Sequence, residues 1–173
     1  SSNRNIWSAI DGVDYYKDWN NWDPTNYTDI DLLFQLTGVE VGDYHHSLSN
    51  CGKKNTPNIE DGNTDDIKGL ISFVRGVDYF DYNGNCNITE DRDWLLGDIY
   101  HSQLIEVEAP NAKTDFTNIN QEAYWRKKNN YAGFKSSYAA RQHVIYAGGN
   151  DGMLHAFNAD TGEEMWGFVP PFI

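Results

Sequence analysis

Basic side chains are scarce in this chain. Only 13 Lys and Arg stand against 26 Asp and Glu, which leaves a formal net charge of −13 and a pI near 4.5. Gripping a phosphate backbone requires cations clustered on one face, and here they are scattered, so nucleic acid is excluded as a partner. An acidic surface suits cation binding, or the plain solvation of an exported protein. Long apolar runs are missing too. No stretch approaches the roughly 18 residues that span a bilayer, so no transmembrane segment is expected. No charged segment followed by an apolar one opens the chain, so an export signal would lie upstream of Ser1. Cysteine is nearly absent: Cys51 and Cys86 are the two in the chain. Neither sits in a C-x-x-C or C-x-x-C-H pattern, which excludes a zinc ribbon, a dithiol redox site and covalently attached haem.

What is present supports a folded core. The chain has 173 residues, enough for one domain or one domain with an irregular flank. At 39% hydrophobic and 14% aromatic it is too apolar for wholesale disorder. Both cysteines lie in Asn/Gly-rich, loop-like sequence, Ser49-Asn50-Cys51-Gly52 and Gly84-Asn85-Cys86-Asn87. Such a pair points to a disulfide between Cys51 and Cys86 that staples an irregular region in an oxidising compartment; two separate thiols are the alternative.

Local patterns divide the chain. Residues 1–30 are rich in Asn, Asp, Tyr and Trp, with one short strand expected over Asn5–Ala9 and turns at Asp11-Gly12 and Asp23-Pro24. Their aromatics read as clamps that hold an irregular segment on a neighbour, or as a sugar-stacking face. Asp29–Leu36 reads as a short helix capped by Thr28 and ended by Gly38. Residues 42–64 form a polar loop or insertion. Ile67, Leu70, Ile71, Phe73 and Val74 recur at helical spacing after the acidic start Asp65-Asp66, and Gly76 stops that helix. Residues 96–107 read as a turn entering a strand, and 111–138 as a polar, aromatic region with at most a short helix near Gln121–Lys128. From His143 onward three strands alternate with the turns Gly148–Gly152 and Asp160–Gly162, a β-meander. In its turn, Asn150, Asp151 and Gly152 are expected to be structural, Asn and Gly tolerating positive φ.

Several clusters invite chemistry. In Asp81–Asp91, oxygen-bearing side chains stand at alternate positions, Asp81, Asn83, Asn85 and Asn87, with Glu90 or Asp91 able to close the shell. Calcium prefers such oxygen cages, so this is the candidate metal site, with an ordinary Asx-rich loop as the alternative. The match to an EF-hand loop is partial, since glycine stands fourth rather than sixth and Arg92 twelfth. Asp61–Asp66 is a weaker second candidate, Asp65 and Asp66 being explained by the helix start. His45-His46, beside Asp43, point to opposite faces if extended and do not share a metal. Asp98, His101 and Ser102 lack a nucleophile turn and an oxyanion hole, so no hydrolase is read there. Asn26-Tyr27-Thr28 and Asn87-Ile88-Thr89 are glycosylation sequons.

The run Val144–Trp166, with its core Asn150-Asp151-Gly152-Met153-Leu154-His155-Ala156-Phe157, resembles a blade of the PQQ-type propeller repeat, and more closely the first blades of the PilY family. Leu70–Asp78, Trp94-Leu95-Leu96-Gly97-Asp98-Ile99-Tyr100-His101-Ser102 and the N-terminal Arg4-Asn5-Ile6-Trp7 resemble the same family in the expected order. Stretches 40–66 and 108–135 match nothing nameable. The resemblance implies a mainly β protein with a partial β-propeller, an irregular aromatic-rich N-terminal region and two short helices. Residues 1–66 would be the irregular region with its insertion, and 67–173 the start of the propeller domain. It further implies export to the cell surface and a non-catalytic role at the tip of a type IV pilus, in biogenesis and adhesion. The partners would be minor pilins or the remaining propeller blades. Trp166 would pack between blades, and His101 and His155 would hydrogen-bond within one. PQQ is not expected, because one blade cannot supply the site where all blades converge. The calcium site associated with the family lies in a later blade and is not carried over.

A propeller needs several blades to close, and the chain stops at Pro170-Pro171-Phe172-Ile173 after about one. It is therefore expected to be an excerpt or a truncated homologue. A truncated form would complete its open sheet with another chain, as a homo-oligomer or filament subunit. A fragment of a quinoprotein oxidoreductase is the remaining alternative.

Overall fold

The computed structural model describes residues 4–8, 22, 64–116 and 121–170. Eight elements occur in chain order among them: strand β1 (Ile6–Ser8), helix α1 (Thr64–Arg75), strand β2 (Ile105–Val107), helices α2 (Gln121–Lys128) and α3 (Tyr131–Ser137), then strands β3 (Val144–Gly148), β4 (Leu154–Asn158) and β5 (Glu164–Val169).

The five strands form one mixed sheet in the order β1-β5-β4-β3-β2. The C-terminal meander β3-β4-β5 is antiparallel throughout, as the turn chemistry predicts. Gly152 (φ 80°) and Gly162 (φ 75°) supply the left-handed residues of its two turns, whereas Asn150 is not among the positive-φ residues. β2 joins antiparallel on one side, pairing Val107 with Val144. On the other side β1 runs parallel to β5, pairing Ile6 with Gly167. The expected N-terminal strand is thus the edge of the C-terminal sheet, a pairing between residues some 160 positions apart that no local pattern announces. The sheet is open rather than closed into a barrel.

The register gives the sheet two unlike faces. Ile6, Gly167, His155 and Ala147 lie side by side across four strands, all buried, with Ile6 and His155 at 0% exposure. The opposite face carries Trp7, Trp166, Phe168, Tyr146, Leu154 and Ile105. Its aromatics are only half buried, and Leu154 and Ile105 are exposed. Tyr146 and Trp166 are neighbours there, with ring centroids 5.8 Å apart.

α1 buries Ile71 completely and ends where Gly76 turns left-handed (φ 116°). The chain then makes a bridge between Val77 and Asp91 and two cross-bonds, Asp78 N to Glu90 O (2.8 Å) and Arg92 N to Gly76 O (2.8 Å). These close the base of the Asx-rich loop. α2 occupies the predicted span and carries the pair Glu122–Arg126 one turn apart at 2.7 Å. α3 corrects the expectation of two short helices. Tyr131–Ser137 lacks an apolar repeat, and the helix is started by Asn130 instead. Asn130 sits in the left-handed region (φ 55°) just beyond α2, and its side chain accepts from Gly133 N. The helix read over Asp29–Leu36 lies outside the described residues.

Candidate functional site

A chain of four charged side chains runs across the covered face of the sheet. Its geometry starts from a bulge. Between Ala156 and Phe157 the register skips Met165, so that Glu164 rather than Met165 stands opposite Phe157. A bulge re-aims side chains, and this one turns Glu164 onto the face of His155. Glu164 Oε1 then lies 2.7 Å from His155 Nδ1. The other ring nitrogen, Nε2, is 3.1 Å from both carboxylate oxygens of Asp151. Arg4, two residues before Ile6 and on the same face, grips Glu164 with two bonds of 2.6 and 2.7 Å. Its third nitrogen donates to the carbonyls of Val74 (2.8 Å) and Leu95 (3.1 Å).

The network is held by several elements at once. Asp151 accepts from Gly97 N (3.0 Å) and Met153 N (3.2 Å), and Asn150 N donates to Asp98 O (2.9 Å). The meander turn is thereby latched to the Leu95–Asp98 loop. Close approach requires glycine here: a Cβ on Gly97 would lie 2.6 Å from Asp151 N, and one on Gly149 would lie 2.4 Å from Asp151 Oδ1.

Electrostatics follow the geometry. Burial disfavours a charged imidazole, but the hydrogen bonds and charges of Asp151 and Glu164 outweigh it and raise the pKa of His155 to about 9. Burial likewise opposes the two carboxylates. The bonds from His155 and from the Gly97 and Met153 amides bring Asp151 down to about 2, and those from Arg4 and His155 bring Glu164 to about 2. At neutral pH the row reads plus, minus, plus, minus, a charge-neutral and fully bonded network.

The Asx-rich loop is folded around Glu90. Asn83 and Asn85 donate their side-chain amides to Glu90 Oε1 (2.5 and 2.6 Å), and Asn87 donates to Oε2 (3.2 Å). The three Asn side-chain oxygens accept from the amides of Asn85, Asn87 and Thr89, two residues on in each case. Asp81 accepts from Cys86 N (2.9 Å), and Cys86 is left-handed (φ 67°). Five of the six candidate ligands thus share one turn. Asp91 instead lies at its base, bridging to Val77. Cys51, Asp61–Asn63, His45-His46 and Asn26 lie outside the described residues.

The structure also assembles a group that sequence reasoning missed. Glu106 and Glu108 alternate along β2 and its end, and the register pairs Glu106 with Ile145, two residues after His143. Ligand atoms of Glu106, Glu108 and His143 lie within 4.8 Å of one another, with His143 Nε2 2.5 Å from Glu106. The alternation Ile105-Glu106-Val107-Glu108 was visible, but His143 is 35 residues away from Glu108 and only the strand register brings it there. The Asp98/His101/Ser102 run is occupied otherwise. Ser102 Oγ accepts from Gly148 N (2.8 Å) and donates to Gln103 O (3.1 Å), and His101 packs its ring on Tyr100.

Comparison with known proteins gives the following. A type IV pilus biogenesis factor PilY1 homolog of Xylella fastidiosa (strain Temecula1) is 44% identical over 79 residues, which is 46% of this chain and 6% of that protein. Type IV pilus biogenesis factor PilY1 of Pseudomonas aeruginosa strain UCBPP-PA14 is 33% identical over 115 residues, 65% of this chain and 9% of that protein. The PAO1 strain's PilY1 is 31% identical over 107 residues, covering 61% and 8%. The chain therefore spans less than a tenth of the length of these curated relatives and matches a fragment of the PilY family. No family model matches it, and no solved structure matches it. Among the described residues no helix is long and apolar enough to cross a membrane.

Proposed function

We propose that this chain forms the entry to a PQQ-like β-propeller in an extracellular, non-catalytic protein of type IV pilus biogenesis and adhesion. One observation carries the reading: the two most family-like motifs are docked on each other, Asp151 accepting from Gly97 and Asn150 donating to Asp98. Motifs 54 residues apart are thus two halves of one structural unit. The apolar face with Trp166 and Phe168 suits a neighbouring blade, so the remaining blades are its first partners and minor pilins its second. The relatives' names supply biogenesis; adhesion goes beyond them. The test is deletion of the gene in the source organism, followed by counts of surface pili and a twitching assay. Loss of pili or of twitching is expected. Unchanged pilus number, twitching and surface attachment would overturn the reading.

We propose further that Asp81–Glu90 binds calcium. Cys86 adopts at the sixth loop position the left-handed turn that glycine provides in an EF-hand, and Asp81 accepts its amide. Turning the Asn amides would present their oxygens to an ion shared with Glu90. Calorimetry with Ca²⁺ should show binding that Glu90→Gln weakens at least tenfold, and no heat of binding would refute it. The Cys51–Cys86 disulfide belongs to the same reading: alkylation of the unreduced, denatured chain should add no mass, and two added labels would refute the pairing.

A further inference from the structure

A cavity of about 390 Å³ opens between α1, the Arg92–Gly97 stretch and the sheet. Its walls are apolar: Phe73 and Val74 from α1, Leu95, Met153 beside the turn, and Val169 from β5. Three polar residues also line it, Trp22, Arg92 and Asp151, and the state of the first two is unusual. Trp22 Nε1 and Arg92 Nε are both buried and have no hydrogen-bond partner among the described residues. Buried N–H groups are nearly always satisfied, and leaving one unmade costs about 1–3 kcal/mol. Two such donors in one cavity point to an acceptor that belongs there.

Both donors are held in place. Trp22 is 5% exposed, and its backbone is pinned at each end, N to Ile6 O (2.8 Å) and O from Arg75 Nη1 (2.8 Å). Arg92 is fixed by its backbone N–H, which donates to Gly76 O (2.8 Å), and its guanidinium lies 3.9 Å over the Phe73 ring. Among the described residues no carboxylate forms an ion pair with it. Asp78 Oδ1 accepts from Tyr82 N, and both Asp151 oxygens are engaged by His155 and backbone amides. Burial first, and the neighbouring positive charge of Arg4 second, lower the pKa of Arg92, against the opposing pull of Asp78, Tyr82 and Asp151. Asp78 and Asp151 attract this cation from nearby, but neither bonds it directly. A carboxylate would satisfy both N–H groups and give Arg92 the direct ion pair that no described residue forms with it.

We infer that this cavity binds an apolar carboxylate, whose oxygens accept from Trp22 Nε1 and Arg92 Nε while its hydrocarbon body lies against Phe73, Leu95, Met153 and Val169. The volume is in the range of small-ligand sites. The carboxylate can come from a free organic acid or from the C-terminus of a peptide ending in an apolar residue. The site stands independently of the pilus reading.

The test is titration of the purified chain, by calorimetry, with hexanoate, 1-hexanol, and a short leucine-ended peptide as its free acid and its amide. At least one carboxylate should bind tenfold or more tightly than its uncharged counterpart. Arg92→Gln should abolish that margin, and Trp22→Phe, which keeps the apolar ring and removes one donor, should weaken binding several-fold. If Arg92→Gln fails to fold by circular dichroism, Trp22→Phe carries the test. Hexanoate binding above the peptide identifies a free acid, and the reverse identifies a chain terminus. Equal binding of acids and their neutral counterparts, or no binding by any of the four, overturns the inference.

Discussion

The two faces of the sheet come from the same strands and differ in almost every physical respect. The covered face places His155, a titratable group, at 0% exposure in the middle of the sheet and surrounds it with charge. The other face presents Trp7, Trp166, Phe168 and Tyr146, the residues a core normally wants, and leaves them half buried. The ordinary rule would put the aromatics inside and the ions outside. The inversion teaches that the interior here is organised by bonding rather than by area. Arg4, Glu164, His155 and Asp151 join β1, β5, β4, α1's last turn and the Leu95–Gly97 loop through directional contacts, which specify one arrangement where apolar packing would tolerate several. The apolar face, by contrast, is non-directional and suited to receiving another layer.

The comparison can be broken most directly at Glu164. Glu164→Ala leaves Arg4 buried without its counter-charge and His155 with one carboxylate, and should destabilise the chain by about 3–5 kcal/mol in urea denaturation. A loss below about 1 kcal/mol would show that the network is peripheral.

The pH dependence comes next, with signs that differ by group. His155 has a raised pKa, so its contribution is complete below about 6.5 and is lost as pH climbs towards about 9. Asp151 and Glu164 have lowered values, so theirs is complete above about 4.5 and is lost as pH falls towards about 2. Stability should therefore plateau between about pH 4.5 and 6.5 and decline by on the order of 2–3 kcal/mol by pH 9. A flat profile from pH 6 to 9.5 would contradict the assignment of charge to His155.

Gly149→Ala tests the packing around that charge. The added methyl would stand 2.4 Å from Asp151 Oδ1 and 2.9 Å from His155 Nε2, so a loss of about 1–3 kcal/mol is expected. The smallest effect belongs to the other face. Leu154→Ser, at 38% exposed, should change the chain's own stability by less than about 0.5 kcal/mol. A loss above about 2 kcal/mol would mean that the chain buries this face itself, and the contrast between the faces would fall.

Much of the fold was legible because it is local. The meander announced itself through Gly152 and Gly162 turns between alternating strands, and α1 through its apolar spacing and Gly76. α3 was not legible, since a seven-residue helix started by one left-handed Asn has no periodicity to read. The Asx-rich loop was recognised by composition, yet its decisive feature, the left-handed Cys86, contradicts what a cysteine suggests. The unpaired donors of Trp22 and Arg92 had no sequence signal at all. An unmade hydrogen bond is a property of surroundings.

By itself, then, the sequence determined the elements with local causes: turn residues that accept positive φ, a helix with one apolar stripe, an acidic balance that rejects phosphate, and motifs that resemble one family. The tertiary structure decided what depends on long-range register. It made Ile6–Ser8 the parallel partner of β5, and it turned Glu164 through a bulge onto the face of His155. Side-chain direction along a strand has a period of two, so a single inserted residue moves a charge from one face to the other. Only the assembled sheet shows which residue is skipped.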